Sequence, residues 1–207
     1  MEQEIFWHTI AFYNLITWPV QLIFIGIAIV LTLLLYQHPT TWVKISMKIF
    51  MALLNGWIAI AYYLVSCENR KYNEILALLW GIMAFVWIID SIMNLTPFER
   101  SSRYAKIAWI FYLMPFLYPI TSLSRGLDFP LMTTPVMPCS IAIYTLGLLF
   151  SFPIKANLFI ILLIIHWAFI GIAKATFYEI PEDYILVCTI LPSLYFFFKE
   201  YKEQLKP

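Results

Sequence analysis

The chain holds few side chains able to do chemistry: three cysteines, three histidines, and scattered charged and amide groups set among long apolar runs. Cys67, Cys139 and Cys188 lack any CxxC spacing, which excludes zinc-ribbon and thioredoxin-like arrangements. In the spans delineated below, Cys67 ends the second, Cys139 opens the fifth and Cys188 lies one turn into the seventh, so all three are expected at one face. Cys139 follows Pro138 at a helix start, where unbonded amides and the positive end of the helix dipole favour a thiolate. Three thiols so grouped are a candidate site for a soft cation such as Hg(II) or Cu(I). The plainer alternative is that each is a small buried hydrophobe.

Ionisable and amide groups inside hydrocarbon are the other candidates, because each charge costs about 2.5 to 3.5 kcal/mol at a helix centre on insertion scales. Asp90 lies near the end of the third span, one turn before Asn94 on the same helical face. It is either a cation or proton site or the partner of Arg100, Arg103 or Lys106 across the interface. His166 falls in the middle of the sixth span, where an imidazole with a pKa of ~6.5 suits proton relay or metal binding. Alternatively it hydrogen-bonds Asn55, midway along the second span, as interhelical glue worth ~0.6 to 2 kcal/mol. Lys174, two turns further on, is expected to snorkel to water.

Positioning these groups falls to helices in a bilayer. Of the 207 residues, 62% are hydrophobic and 12% charged, with a mean hydropathy of +0.82, whereas a soluble domain carries roughly a quarter charged residues. Seven long apolar runs stand out: Val20 to Tyr36, Ile45 to Val65, Ile75 to Met93, Ile107 to Leu123, Met137 to Phe152, Ala156 to Ala173 and Tyr184 to Phe198. They are continuously apolar rather than alternating, which favours helices over barrel strands. The expected fold is an all-α polytopic transmembrane bundle in one domain, with 1–19 as an interfacial or lead-in segment, 20–198 as the bundle and 199–207 as a tail.

With the amino terminus outside, the inner segments hold Lys44, Lys48, Arg100, Arg103, Lys106, Lys155, Lys199, Lys202 and Lys206. The outer segments hold Arg70, Lys71, Arg125 and Lys174. The positive-inside rule therefore places the carboxyl terminus in the cytoplasm. Trp7, Trp18, Trp42, Trp57 and Tyr62 fall near span ends and read as interfacial anchors. Pro115 and Pro119 in the fourth span and Pro192 in the seventh are expected to kink their helices. The connection from Ser124 to Val136, carrying Pro130 and Pro135, reads as a Pro-braced outer turn, with a lid or re-entrant element as the alternative.

A net charge of +1 provides no basic face for gripping phosphate backbones, so nucleic acid is not an expected partner. There is no HExxH, GxSxG or Walker loop, no intramembrane aspartate pair and no bis-histidine spacing for haem, so neither enzymatic activity nor a cofactor is expected.

Phe12-Tyr13-Asn14 with Trp18-Pro19, Pro138-Cys139 ahead of Tyr144-Thr145-Leu146-Gly147, and Trp167 and Gly171 leading to Pro181-Glu182-Asp183 resemble a family of bacterial multi-pass membrane proteins of unknown function. The resemblance runs along nearly the whole chain. It implies a bacterial inner membrane and supplies no activity. From the residues themselves, the first functional expectation is binding or movement of a small solute or ion. The cavity would open outward, bounded by the kinked fourth and seventh helices, the Pro-Cys turn, and the level of His166 and Asn55. The alternative is a non-catalytic accessory subunit packed in the bilayer against a membrane-protein partner or a second copy.

Overall fold

The structure is a computed structural model describing residues 2–67, 71–177 and 180–205. The described residues form seven helical rods in antiparallel succession. The first, α1 (Glu2–Gln37), is one helix of 36 residues with Pro19 inside it. At 1.5 Å per residue it is about 54 Å long, well beyond the ~30 Å hydrocarbon thickness. Residues 2–19 thus run into the first span as one helix, the lead-in alternative. Thr9, Tyr13 and Asn14 face inward and buried, leaving only His8 of the polar line exposed. The second half of α1 is by contrast largely exposed and apolar, from Leu22 to Leu33.

The helix α2 (Thr41–Trp57) starts at Thr40, whose hydroxyl accepts from the Val43 amide, and continues unbroken into a π-helical stretch, Ile58–Ser66. The wider π turn lets the consecutive Tyr62 and Tyr63 both be buried, against Tyr13 and Trp167 respectively. Next, α3 (Asn73–Met93) ends at Asn94 in the left-handed conformation, a position that suits asparagine. The fourth rod is broken as the prolines require: α4 (Ala105–Leu113), a 3₁₀ turn holding Pro115 (Met114–Phe116), then α5 (Leu117–Ser124).

The fifth and seventh rods depart from expectation. All of α6 (Pro138–Ser151) except Tyr144 is buried. Its 14 residues span only about 21 Å, so it is an enclosed central strut rather than a lipid-facing span. Gly147 allows this packing: a Cβ there would lie 3.0 Å from a Tyr112 ring carbon and 3.3 Å from the Ala108 carbonyl oxygen. After α7 (Leu158–Phe177), the last rod is divided into α8 (Asp183–Val187) and α9 (Ile190–Gln204). Pro192 lies in the first turn of α9, and the rod is interrupted at Cys188 and Thr189, where the proline ring crowds the carbonyl four residues before it.

Among the described residues five segments are long and apolar enough to cross a membrane: Glu4–Gln37, Thr41–Ser66, Asn73–Met93, Ala105–Ser124 and Leu158–Thr176. The two termini lie at opposite ends of the bundle. The amino-terminal face gathers Tyr13, Asn14, the 125–137 connection and Glu182. The carboxyl-terminal face gathers Lys48, Asp90, Asn157, Arg103 and Glu200. Arg70 and Lys206 of the charge count lie outside the described residues. Of the expected anchors, Trp18 and Trp42 are exposed, whereas Tyr62 is buried and the Trp57 indole donates to the Tyr13 hydroxyl.

Candidate functional site

Near the carboxyl-terminal face, Asp90 pairs with none of Arg100, Arg103 and Lys106. Its partner is Lys48 of α2, with Nζ 2.9 Å from Oδ1 and both side chains essentially inaccessible. The Lys48 ammonium also donates to the Asp90 carbonyl and to Asn94 Oδ1. The Asp90 carboxylate further accepts from the Thr96 amide, the Thr96 hydroxyl and the Asn157 amide. Three ammonium protons meet three acceptors and the carboxylate accepts four bonds, so no unused lone pair faces a cation. The cluster ties α2 and α3 to the 94–98 and 153–157 connections. Phe98, held at φ 51, stacks on Trp87 and lies 5.7 Å below the Lys48 ammonium.

Further out on the same face, Arg103 pairs with Glu200 and Glu203 of α9, and the Tyr104 hydroxyl donates to Glu200. Burial first, and the bond to Glu200 second, hold the Tyr104 phenol above its usual range, so it remains a donor.

Beside the Pro-Cys turn lies a recess of about 20 Å³, lined by Tyr118, Pro138, Cys139, Lys174 and Asp183 among others and by neither His166 nor Asn55. That is room for about one water. Cys139 is 6% exposed, and its enclosure beside the Asp183 carboxylate opposes the negative charge that the helix start would favour. Cys67 is buried and Cys188 exposed. Among the described residues no three His, Cys, Asp or Glu side chains are grouped to hold a metal. Lys174 does not snorkel: it is buried, with its ammonium 4.4 Å from the Trp167 ring centroid. The 125–137 connection is pinned rather than free. Asn14 donates to the carbonyls of Pro130 and Met132, Thr134 donates to Gln21, and Arg125 meets the buried Glu182 carboxylate at 2.8 and 2.9 Å.

His166 and Asn55 are not brought together. His166 points outward on an exposed stripe of α7 with Leu162 and Phe169. Asn55 is fully buried, its amide donating to Met51 O and its Oδ1 without a partner among the described residues.

An apolar recess lies where no charged or nucleophilic residue pointed. A groove of about 230 Å³ runs between α1 and α4 over the floor of α6. One wall is the α1 stripe Phe24, Ala28, Thr32 and Tyr36 at helical i, i+4 spacing; the other is Trp109, Tyr112, Leu113 and Phe116. Ile141 and Tyr144 form the floor, and Pro135 and Val136 close the amino-terminal end. The groove exists because α4 packs on α6 and α1 on α2, rather than α1 and α4 on each other. Two hydroxyl bonds, Thr32 to Tyr144 at 2.8 Å and Tyr36 to Ser151 at 2.6 Å, hold α1 to the floor. Ile29, Leu33, Trp109, Leu113 and Phe116 are exposed along the rims, so the recess opens sideways on the apolar flank. The Tyr112 hydroxyl is buried beside the Tyr36 and Ser151 hydroxyls. The alternating wall residues are legible in sequence as ordinary apolar helix positions; nothing in them marks which helices part.

A family model described as a family of unknown function, DUF6064, matches residues 3–206. No curated protein and no solved structure matches the chain.

Proposed function

The chain belongs to that family of unknown function, and on this premise, with no activity to inherit, we propose that it is a non-catalytic membrane protein that binds a small apolar molecule entering sideways from the bilayer. The observation that carries the reading is the groove between α1 and α4, with apolar walls and a lateral opening. Pockets of this kind, mostly apolar with a few placed polar groups, are the usual form of a small-molecule site. The outward solute path is the weaker version of this reading, since the cavity at the Pro-Cys turn is water-sized and the polar groups at both faces are engaged with one another. The excess of Lys and Arg at the carboxyl-terminal face supports placing that face in the cytoplasm, and the family resemblance supports a bacterial inner membrane.

The test is titration of the detergent-purified protein with a brominated 16-carbon fatty acid while following tryptophan emission, since Trp109 lines the groove. Saturable quenching that is lost in Ala28→Leu, which fills the wall, is the expected result. Linear quenching identical in both proteins overturns the reading.

A second reading, the accessory subunit, is favoured by His166, a polar group on an otherwise apolar exposed stripe in the middle of α7. A partner helix offering a hydrogen bond there relieves the cost of facing lipid. It predicts that His166→Leu abolishes co-purification of a second chain, and a strictly monomeric wild-type protein in mild detergent sinks it.

A further inference from the structure

Resting on the groove reading above, the geometry points to an anionic glycerophospholipid as the groove's occupant, its phosphate held by Arg100 and Lys106 at the carboxyl-terminal end. Tyr36 is the last groove residue of α1, and the Arg100 guanidinium stacks over its ring at 4.7 Å. On the opposite wall, Lys106 is exposed one turn before Trp109 on the same face of α4. The two walls meet at this end, where the Tyr36 and Trp109 rings are 5.5 Å apart. Two cations therefore flank the mouth of an apolar recess.

Neither cation has a carboxylate partner among the described residues, while Arg103, their neighbour in sequence, is engaged with Glu200 and Glu203. Arg100 is also held in place. Its stack on Tyr36, whose hydroxyl bonds to Ser151, fixes a guanidinium that can take phosphate oxygens in bidentate fashion. In a glycerophospholipid the acyl chains follow the phosphate inward, and one of them occupies the stripe of Phe24 and Ala28. A neutral apolar metabolite uses the recess without needing the two cations.

Native mass spectrometry of the full chain, purified in detergent and incubated with equimolar dioleoyl phosphatidylglycerol and dioleoyl phosphatidylcholine, tests this. The expected result is one retained phosphatidylglycerol in preference to phosphatidylcholine. Arg100→Gln and Lys106→Gln should each weaken that preference about fivefold, the worth of one basic residue near an anionic headgroup. Lys202→Gln, on the same face but away from the groove, should leave it unchanged. Ala28→Leu, and at a second position Ile25→Trp, should remove adducts of both lipids while the protein remains folded by circular dichroism. Adducts unaffected by both groove-filling variants overturn the groove reading itself. Adducts that both fillings abolish, but that show no headgroup preference or a preference untouched by Arg100→Gln and Lys106→Gln, leave the groove standing and overturn the anionic lipid.

Discussion

Replacing Lys48 by methionine keeps the aliphatic stem but removes the ammonium from the most buried ion pair in the described structure. The gross attraction across the 2.9 Å contact is about 6 kcal/mol at an effective dielectric of ~20, most of it offset by the desolvation of two charges. What remains decisive is the asymmetry between breaking the pair and deleting it. Lys48→Met strands the Asp90 carboxylate, with only Thr96 and Asn157 as donors. Asp90→Asn strands the ammonium, with only neutral acceptors. Each single change is expected to cost about 3–5 kcal/mol, the range for an uncompensated buried charge. For a chain of this length that is a fall in apparent Tm on the order of 10 °C. The double variant, neutral on both sides, should be far closer to wild type than the sum of the two, within about 2 kcal/mol. Thermal unfolding in one detergent at one scan rate, followed by tryptophan emission, is the assay. Trp87, stacked on Phe98 beneath the ammonium, reports the site directly. Single-variant losses that simply add in the double variant, with coupling below about 0.5 kcal/mol, would refute the claim that the two charges hold each other.

The packing of α6 gives a second expectation: Gly147→Leu forces side-chain carbon into Tyr112 and the Ala108 carbonyl, and should lower stability by about 1–3 kcal/mol, as overpacking does, measured as a lower Tm. Alkylation by N-ethylmaleimide in detergent should reach Cys188 first and Cys139 slowly, since only Cys188 is exposed; peptide mass mapping showing Cys139 as the fastest site would mean that its enclosure is wrong. For the amino-terminal face, Arg125→Met leaves the buried Glu182 carboxylate with the Ser122 hydroxyl and should make the 125–137 connection cleavable by chymotrypsin at a lower temperature than in wild type. His166→Leu should leave the stability of the isolated chain within about 0.5 kcal/mol, as for an exposed position, and a marked loss would place the imidazole inside the bundle after all.

The sequence by itself determined the class of solvent and the class of element. A charged fraction of 12% cannot cover a water-facing surface, and apolar runs of this length satisfy their backbones in hydrocarbon only as helices. The break at Pro115 followed from local chemistry as well. Which way each helix faces did not. In a soluble protein the polar face marks the outside, but in a bilayer both the interior and the surroundings are apolar, so hydropathy is nearly silent about facing. For that reason His166 turned out to face outward and Cys139 inward, and α6, as apolar as its neighbours, proved to be the enclosed strut. Partner choice was likewise tertiary: Asp90 had three basic residues nearby in sequence, yet it pairs with Lys48, brought over by the packing of α2 on α3. The groove is the clearest case. It is a parting of α1 and α4, which meet through Tyr36 and Trp109 at one end, created by each helix packing elsewhere, and no residue in either helix announces where the two separate.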